Sequence, residues 1–238
     1  MLERAPSLVW QIVNDIEKRI FSGALPPGSK VRESKLAAEL GVSRGPVREA
    51  CHTLIGDRLM VPLPNKGSHV RWIPPAAAKQ LFEIREELSG LIARGIAKGN
   101  PTAAAALLSG HLDRIDNTIA TRDIAGFFPV NLDFHSDLLA ATGNDRLAEI
   151  YLGIFKELRI FRLQSLLTET KRPGVTLEHN AASNAGHRQI VAAIGTGDAQ
   201  AIERTMRAQV AASRDRSALA FSRGHLDVPP EFSEKVPT

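Results

Sequence analysis

Ser43 and the two arginines that follow it, Arg44 and Arg48, are the residues whose types and spacing most readily suggest chemistry. Gly41–Gly45 reads GVSRG and fits the G-x-S-x-G pattern that surrounds a hydrolase nucleophile. An arginine can also donate two hydrogen bonds to the O6 and N7 atoms of guanine, the commonest base-specific contact that proteins make to DNA. The segment therefore has two interpretations, a serine hydrolase or a base-reading surface, and they require different surrounding elements.

The residues around Gly41 favour two short helices joined by a tight turn. Apolar side chains between positions 36 and 40 share one helical face, and Gly41 can end that helix in the left-handed conformation. Ser43 is placed to cap a second helix, beginning at Arg44, by accepting a hydrogen bond from a backbone N–H. This is a helix-turn-helix, in which the first residues of the second helix meet base edges in the major groove. Here those residues are Arg44, Gly45, Val47 and Arg48.

The same pattern argues against an enzyme. A nucleophile elbow requires a strand before the serine, whereas a helix is predicted before Ser43, and Pro46 falls where the following helix should form. Cys51 and His52 are adjacent on a helix and point in different directions, so they do not form a catalytic pair. A serine hydrolase remains only as an alternative, and no catalytic residue is predicted.

A helix and a hairpin flank the helix-turn-helix. Apolar residues recur at helical spacing from Ser7 to about Gly23, and residues 61–70 read as two short strands around a tip that contains Lys66 and Gly67. Three helices with such a hairpin make a winged helix-turn-helix. We predict that this DNA-binding domain spans residues 1–72 and that a proline-containing linker follows at residues 73–76.

The rest of the chain is predicted to be entirely helical. Apolar stripes and Gly, Pro, Asn and Asp breakers divide it into six helices, and strand patterns are absent. The fold class is therefore mainly α, with an N-terminal winged helix-turn-helix followed by an all-α helical bundle. The bundle is predicted at residues 77–222, with a loose C-terminal tail at 223–238. The predicted helices cover roughly 75–98, 102–121, 123–142, 144–169, 178–195 and 198–221.

Composition narrows the partners and the compartment. The formal net charge is +4, and this excess lies within residues 1–71, so the first domain is suited to an anionic partner such as nucleic acid. One cysteine excludes an internal disulfide, and no apolar run approaches the ~20 residues that span a membrane. We therefore expect a cytoplasmic protein.

Residues 8–71 resemble the winged-helix domain of GntR-type transcription regulators. The resemblance rests on LPPGSKVRESKLAAELGVSRGPVREA and the following VPLPNKGSHV. The helical segments NLDFHSDLLAATGN and GHRQIVAAIGTGDAQAIERTM extend it to the FadR subfamily, whose C-terminal FCD domain binds a small effector. Six helices in place of seven resemble its VanR-like branch. The resemblance implies a homodimer on a near-palindromic DNA operator, controlled by an organic acid.

Within this resemblance the DNA contacts fall before the helix-turn-helix, at the start of the recognition helix and at the wing tip. Arginine is suited to base reading, so we assign that role to Arg44 and Arg48, while lysine and backbone N–H groups anchor phosphates. Gly45 replaces a hydroxyl residue common in relatives, which removes one side-chain contact. The implied DNA-binding residues are Arg32, Ser43, Arg44, Gly45, Arg48, Lys66 and Gly67.

Relatives with a metal-binding effector domain use one Asp and three His. The corresponding residues here are Asn131, His135, His187 and Gln209, so two ligands are replaced by neutral amides. We predict either a divalent ion such as Zn or Ni on His135, His187 and Asn131, or a metal-free polar pocket, or two hydrogen-bonded core histidines. Arg85 matches a family arginine that could pair with an effector carboxylate or, equally, with a glutamate of the chain. These five residues form the predicted effector-binding set.

The sequence thus predicts a sequence-specific, effector-controlled regulator, with repression favoured over activation. A nonspecific DNA-binding protein is the other alternative to a regulator, because phosphate neutralisation alone would also use a basic domain. Neither the operator nor the effector follows from the sequence.

Overall fold

A computed structural model describes residues 7–168, 174–223 and 228–233. It contains a small N-terminal domain with a two-stranded sheet and a larger helical bundle. No helix in these ranges is long and apolar enough to cross a membrane. The elements are α1 (Leu8–Phe21), α2 (Glu33–Leu40), α3 (Arg44–Gly56), β1 (Met60–Leu63), β2 (Gly67–Val70), α4 (Pro75–Lys98), α5 (Pro101–Ala120), α6 (Ile124–Ala140), α7 (Asp145–Thr168), α8 (Val175–Gly195), α9 (Ala199–Arg223) and α10 (Pro230–Ser233).

The predicted helix-turn-helix is present as α2 and α3, and α1 packs across α3. Ser7 caps α1 by accepting a hydrogen bond from the backbone N–H of Trp10 at 3.2 Å. Gly41 ends α2 with φ +65°, the left-handed conformation that its sequence position predicts. Ser43 occupies the N-cap position of α3, but its side chain makes no capping hydrogen bond. The predicted side-chain cap was therefore wrong, although the helix begins at the predicted residue.

The wing is an antiparallel hairpin in which Met60 pairs with Val70 and Leu63 pairs with Gly67. A third segment lies along β2, because Lys30 forms an isolated bridge with His69. The predicted edge hairpin is confirmed, and its backbone is tied to the segment that leads into α2.

Six long helices, α4 to α9, form the C-terminal bundle, and their bounds fall within a few residues of the prediction. Helix α4 packs along α9, while α5 lies between α6 and α8. Helix α7 contacts α4, α6 and α9 and so occupies the middle of the bundle. Within the described part of the chain the sheet is confined to the N-terminal domain, which confirms the predicted fold class.

The two domains are joined through α7. The side-chain amide of Gln164 accepts a hydrogen bond from the Ile73 N–H at 2.9 Å and donates one to the Ile73 carbonyl at 3.0 Å. Glu157 lies 2.7 Å from Arg58 and 3.7 Å from Arg71, which follow α3 and β2 respectively. The predicted linker is thus fastened directly to the bundle.

The described C-terminal residues fold back on the DNA-binding domain. Phe232 lies edge-on to the ring of His69, with 6.4 Å between centroids. Pro229 lies so close to Gly28 that a Cβ atom at that position would clash. The sequence predicted a loose tail at 223–238, whereas residues 228–233 contain a helical turn that contacts the base of the wing. The domain boundaries given above stay a prediction.

Candidate functional site

The recognition helix presents its N-terminal turn to solvent. Arg44, Gly45 and Arg48 are exposed, and a Cβ atom at Gly45 would meet nothing within 4 Å. Val47 is fully buried in the domain core, so its predicted position among the base-contacting residues was wrong. The buried valine instead helps to fix the helix orientation, while the two arginines, one turn apart, are exposed to solvent.

Arg48 has an intramolecular partner. Its Nε lies 3.5 Å from Glu33 Oε2, and its side chain is 64% exposed. An exposed ion pair of this kind contributes about 0–1 kcal/mol, so the guanidinium can exchange it for a base or phosphate at little cost. Arg48 therefore stays a predicted base-reading residue.

The wing and the segment before α2 contribute further basic groups. Arg32, Lys66 and Gly67 are exposed, as a DNA contact would require, and their DNA-binding role stays a prediction. Lys30, which the sequence did not single out, lies beside the wing tip, with its Cε 3.5 Å from where a Cβ atom of Gly67 would be. The extended Ser29–Arg32 segment before α2 was the sequence feature that could have pointed to Lys30. Lys30, Arg32 and Lys66 are suited to phosphate contacts.

The five predicted effector-binding residues line one cavity in the bundle. Each helix contributes side chains spaced by about one or two turns, so they project from one face into a common space of about 40 Å³. Helix α6 supplies Asn131 and His135, and α8 supplies Ser183 and His187. The remaining polar lining is Arg85 from α4, Arg159 and Arg162 from α7, and Gln209, Ser213 and Ser217 from α9.

Four polar atoms of the cavity-lining residues are buried without a hydrogen-bond partner among the described residues. They are Asn131 Oδ1, His135 Nδ1, His187 Nδ1 and Arg159 Nε. The two imidazole rings lie edge to face, with 5.3 Å between centroids. Gln209 is partly satisfied, because its Nε2 lies 3.3 Å from the Ser183 carbonyl and Gly186 leaves room for its amide. Unpaired buried polar atoms are costly, so their convergence makes the cavity a candidate binding site.

Arg85 is held by aromatic residues and has no carboxylate partner in the described part of the chain. Its Nε donates to the Tyr151 hydroxyl at 2.8 Å, and its guanidinium lies 5.3 Å from the centroid of the Tyr151 ring and 5.4 Å from that of Phe155. A salt bridge between Arg85 and a glutamate is thus not observed within residues 7–168, 174–223 and 228–233. The role of Arg85 in pairing with an effector carboxylate stays a prediction.

Arg159 and Arg162 were missed by sequence reasoning. Arg159 lies 4.0 Å over the ring of Phe21 in α1, and its Nε has no hydrogen-bond partner in the described residues. Arg162 donates to Asn180 Oδ1 at 2.7 Å. Burial lowers the pKa of each guanidinium to about 10, still far above neutral pH, so both stay charged. Their spacing with Phe155, at i, i+4 and i+7 on α7, was the signal that could have revealed them.

Both cavity histidines are neutral at physiological pH. Burial first, and then the positive charges of Arg85, Arg162 and Arg216, lower the pKa of His187 to about 3. Burial and Arg85 likewise lower the pKa of His135 well below its usual value. A neutral imidazole offers one donor and one acceptor.

These histidines are expected to make the fold sensitive to acid. Because the pKa of His187 is depressed in the folded state, the unfolded state binds more protons between pH 6.5 and about 3, and stability falls as pH falls through that window. The slope from His187 alone is about 1.4 kcal/mol per pH unit. Urea unfolding of the wild type and His187→Gln at several pH values measures it. Parallel profiles for the two proteins would contradict the assignment.

The donor set fits a divalent cation poorly. No group of three or more His, Cys, Asp or Glu side chains with suitable geometry occurs among the described residues. The two carboxylates nearest in sequence to His135 have other partners: Asp133 lies 3.0 Å from Arg114, and Asp137 lies 2.6 Å from His111 Nε2. Two imidazoles and two neutral amides bring no negative charge, and three guanidinium groups repel a cation. The chemistry of the cavity favours an anion.

The hydrolase alternative finds no structural support. Helix α2 precedes Ser43, where a nucleophile elbow requires a strand. Cys51 is fully buried, and burial raises the pKa of its thiol to about 11, so it is not a nucleophile.

Known proteins match both domains. The gntR family of bacterial regulatory proteins matches residues 8–70, and the FCD domain matches residues 80–212. A probable D-xylose utilization operon transcriptional repressor of Paenarthrobacter nicotinovorans is 30% identical over 91% of both chains.

Two solved structures share the fold. E. coli McbR/YncC has a TM-score of 0.71 and 20% identity, covering 92% of this chain and 99% of that one. A putative GntR regulator from Rhodococcus sp. RHA1 has a TM-score of 0.67 and 23% identity, covering 91% of this chain and 100% of that one. The family's members are DNA-binding transcription regulators and not enzymes. The chain therefore belongs to the GntR family and is a FadR-like regulator with a winged helix-turn-helix and an FCD domain.

Proposed function

We propose that this chain is a sequence-specific regulator whose affinity for its operator is set by a small anion in the bundle cavity. The observation that carries the proposal is the position of α7. The same helix lines the cavity with Arg159 and Arg162 and holds the DNA-binding domain through Glu157 and Gln164.

The DNA-binding role is assigned to the exposed basic groups of the first domain. Arg44 and Arg48 would read base edges in the major groove, while Arg32, Lys66 and the Gly67 backbone would hold phosphates. Ser43 and Gly45 lie at the start of the recognition helix, where the backbone N–H groups of a helix N-terminus can face a phosphate. Lys30 adds a further positive charge beside the wing tip.

The effector is an anion, with an organic acid as the leading class. Arg85, Arg159 and Arg162 place positive charge around the cavity, and no Asp or Glu occurs among its described lining residues. His135, His187, Asn131 and Gln209 add hydrogen-bonding groups. Guanidinium groups recognise carboxylates and phosphates through paired, charge-assisted hydrogen bonds.

Coupling between the sites passes through α7. Arg159 contacts both the cavity and Phe21 of α1, and its charge also acts on Glu17 of the same helix. Glu157 holds Arg58, just after the recognition helix, and Gln164 holds the backbone at Ile73. An anion that draws Arg159 into the cavity would weaken its contact with α1 and shift the population of domain arrangements.

We assign a repressor role because relatives that match over most of this chain carry that description. Besides the Paenarthrobacter protein, a gluconate operon transcriptional repressor of Bacillus licheniformis is 24% identical over 71% of this chain and 69% of its own length. By their descriptions, one of these proteins controls a D-xylose utilization operon and the other a gluconate operon. Control of such operons is consistent with a small metabolite as effector.

A homodimer would place two recognition helices on a near-palindromic operator. Its proposed interface is the exposed apolar surface formed by Ile84 and Leu91 of α4 with Ile150 of α7. These two helices pack side by side in the bundle. Contiguous exposed apolar side chains of this kind mark protein contacts.

The double substitution Ile84→Glu/Leu91→Glu is expected to weaken the dimer by about 10-fold or more, since each carboxylate would lose its hydration at the interface. Sedimentation equilibrium measures the dimer constant. Leu107→Glu, on the exposed face of α5, is the matched control and should leave it unchanged. An unaltered dimer in the double variant would refute the assigned interface.

Selection from random double-stranded DNA with the purified full-length chain tests the function directly. We expect enrichment of a near-palindrome whose half-sites are about one helical turn apart. Recovery of DNA with no common sequence would favour nonspecific binding and contradict the proposal.

A further inference from the structure

The arginines of the cavity outnumber its counterions. Arg85 is 7% exposed and Arg159 is 5% exposed, and neither forms an ion pair with a carboxylate within the described ranges. Arg162 is partly buried, and within the described ranges its side chain donates to the neutral amide of Asn180. Glu17 acts on Arg159 from the side of the DNA-binding domain, away from the cavity lining. Three buried or partly buried cations sharing one neutral pocket are unfavourable unless an anion joins them.

Neutral donors surround these charges. The unpaired Nδ1 atoms of His135 and His187 become N–H donors in the appropriate tautomer, and the Asn131 amide can turn its NH₂ group toward a ligand. Ser213 and Ser217, one turn apart on α9, add two hydroxyl donors. The cavity therefore offers many donors and no carboxylate to compete with a bound anion.

The size of the cavity restricts the ligand. A volume of about 40 Å³ corresponds to roughly three water-sized spheres. A monocarboxylate would neutralise one of the three guanidinium charges, whereas a compact dianion would neutralise two. Long acyl chains exceed this volume.

Resting on the effector-controlled function above, we propose that the cavity binds a compact dianion directly through Arg85, Arg159 and Arg162, with no metal ion between ligand and protein. The arginines supply the positive charge that a metal would otherwise bring, which agrees with the replacement of two family metal ligands by Asn131 and Gln209. The shared ligand chemistry is two negative charges on closely spaced oxygens, as in a short dicarboxylate or a phosphate group.

Isothermal titration calorimetry on the full-length chain, treated with EDTA and shown to be free of metal, tests this. The probes are malonate, inorganic phosphate and acetate at slightly alkaline pH. We expect malonate, phosphate or both to bind at least about 10-fold more tightly than acetate, with no change when Zn is added. Malonate and phosphate together separate the dicarboxylate source from the phosphate source.

Arg162→Gln should weaken the tighter dianion by about 10-fold to 100-fold, as expected when a charge-assisted hydrogen bond is lost. Arg146→Gln removes the same charge from an 88% exposed side chain on the same helix and should bind like the wild type. Circular dichroism checks the folding of both variants. If either variant fails to fold, the comparison of the three probes on the wild-type protein still tests the proposal.

Three results would overturn the proposal: no binding of any probe, binding only in the presence of metal, or acetate binding as tightly as the dianions. Unchanged affinity in folded Arg162→Gln would do the same. The selection of operator DNA is carried out without ligand, so its result does not depend on whether the cavity binds a dianion. Failure of the dianion proposal would therefore leave the proposed DNA-binding function intact.

Discussion

Replacing Arg44 with alanine is expected to cost about 1–3 kcal/mol of operator binding and to relax sequence preference at the contacted base. Arg44 is the first residue of the recognition helix and is fully available to DNA, since no carboxylate of the described residues pairs with it. Binding to random DNA should change far less, because phosphate contacts dominate it. Fluorescence anisotropy on the selected operator and on a scrambled duplex measures both losses.

Lys66→Ala is the informative comparison. A lysine at the wing tip should hold phosphate as a point charge, so its loss should weaken operator and scrambled DNA alike and reduce the salt slope by about one. Arg146→Ala, which removes a charge from an 88% exposed side chain of α7, controls for net charge. Equal losses on the two duplexes for both Arg44→Ala and Lys66→Ala would favour a nonspecific DNA-binding protein and would be incompatible with base reading by Arg44.

The second large effect is expected at Arg159, the cavity residue that also contacts α1. Arg159→Met keeps an unbranched side chain over Phe21 but removes the charge that an anion would attract. In the Arg159→Met variant, saturating malonate or phosphate should leave operator affinity almost unchanged. In the wild type the same ligand should change operator affinity by about 5-fold to 150-fold, the range typical of allosteric coupling. Operator affinity without ligand should stay close to wild type.

Arg162→Gln separates coupling from binding. It also lines the cavity, but its contacts lie with Phe127 and Asn180 and not with α1. The Arg162→Gln variant should need a higher ligand concentration for saturation. Once saturated, its operator affinity should change by the same factor as in the wild type. If Arg159→Met retained the full factor once ligand was saturating, Arg159 would not be the coupling residue.

Local sequence signals predicted the DNA-binding domain well because its geometry is set locally. Gly41 ends α2 at φ +65° for the reason its position indicates, and the prolines and glycine of residues 61–70 permit the wing hairpin. Ser43 shows the limit of this reasoning. It occupies the cap position, yet whether its hydroxyl bonds to the helix depends on a rotamer that sequence does not specify.

Helical spacing agrees with the placement of the α6 pair in the cavity. One turn separates Asn131 from His135, so a shared orientation follows from helix geometry alone. The resemblance to the family then linked these residues to Arg85, His187 and Gln209, and the structure brings all five together. Their effector-binding role stays a prediction.

What sequence could not predict depends on contacts between distant residues. Arg58 and Glu157 are 99 positions apart, and Ile73 and Gln164 are 91 apart, so no local pattern links them. Arg159 and Arg162 look like ordinary charges on an amphipathic helix until the packing of α1 and α6 buries them. The electrostatic character of the cavity, which disfavours a metal and favours an anion, arises only from that packing.

The most direct test of effector-controlled DNA binding is a linkage cycle on the wild-type chain. Operator affinity is measured with and without saturating malonate or phosphate, and the affinity for that anion is measured with and without saturating operator. If the cavity controls the recognition helix, the two factors will be equal and will differ clearly from one. An anion that binds the cavity and leaves operator affinity unchanged would contradict the account.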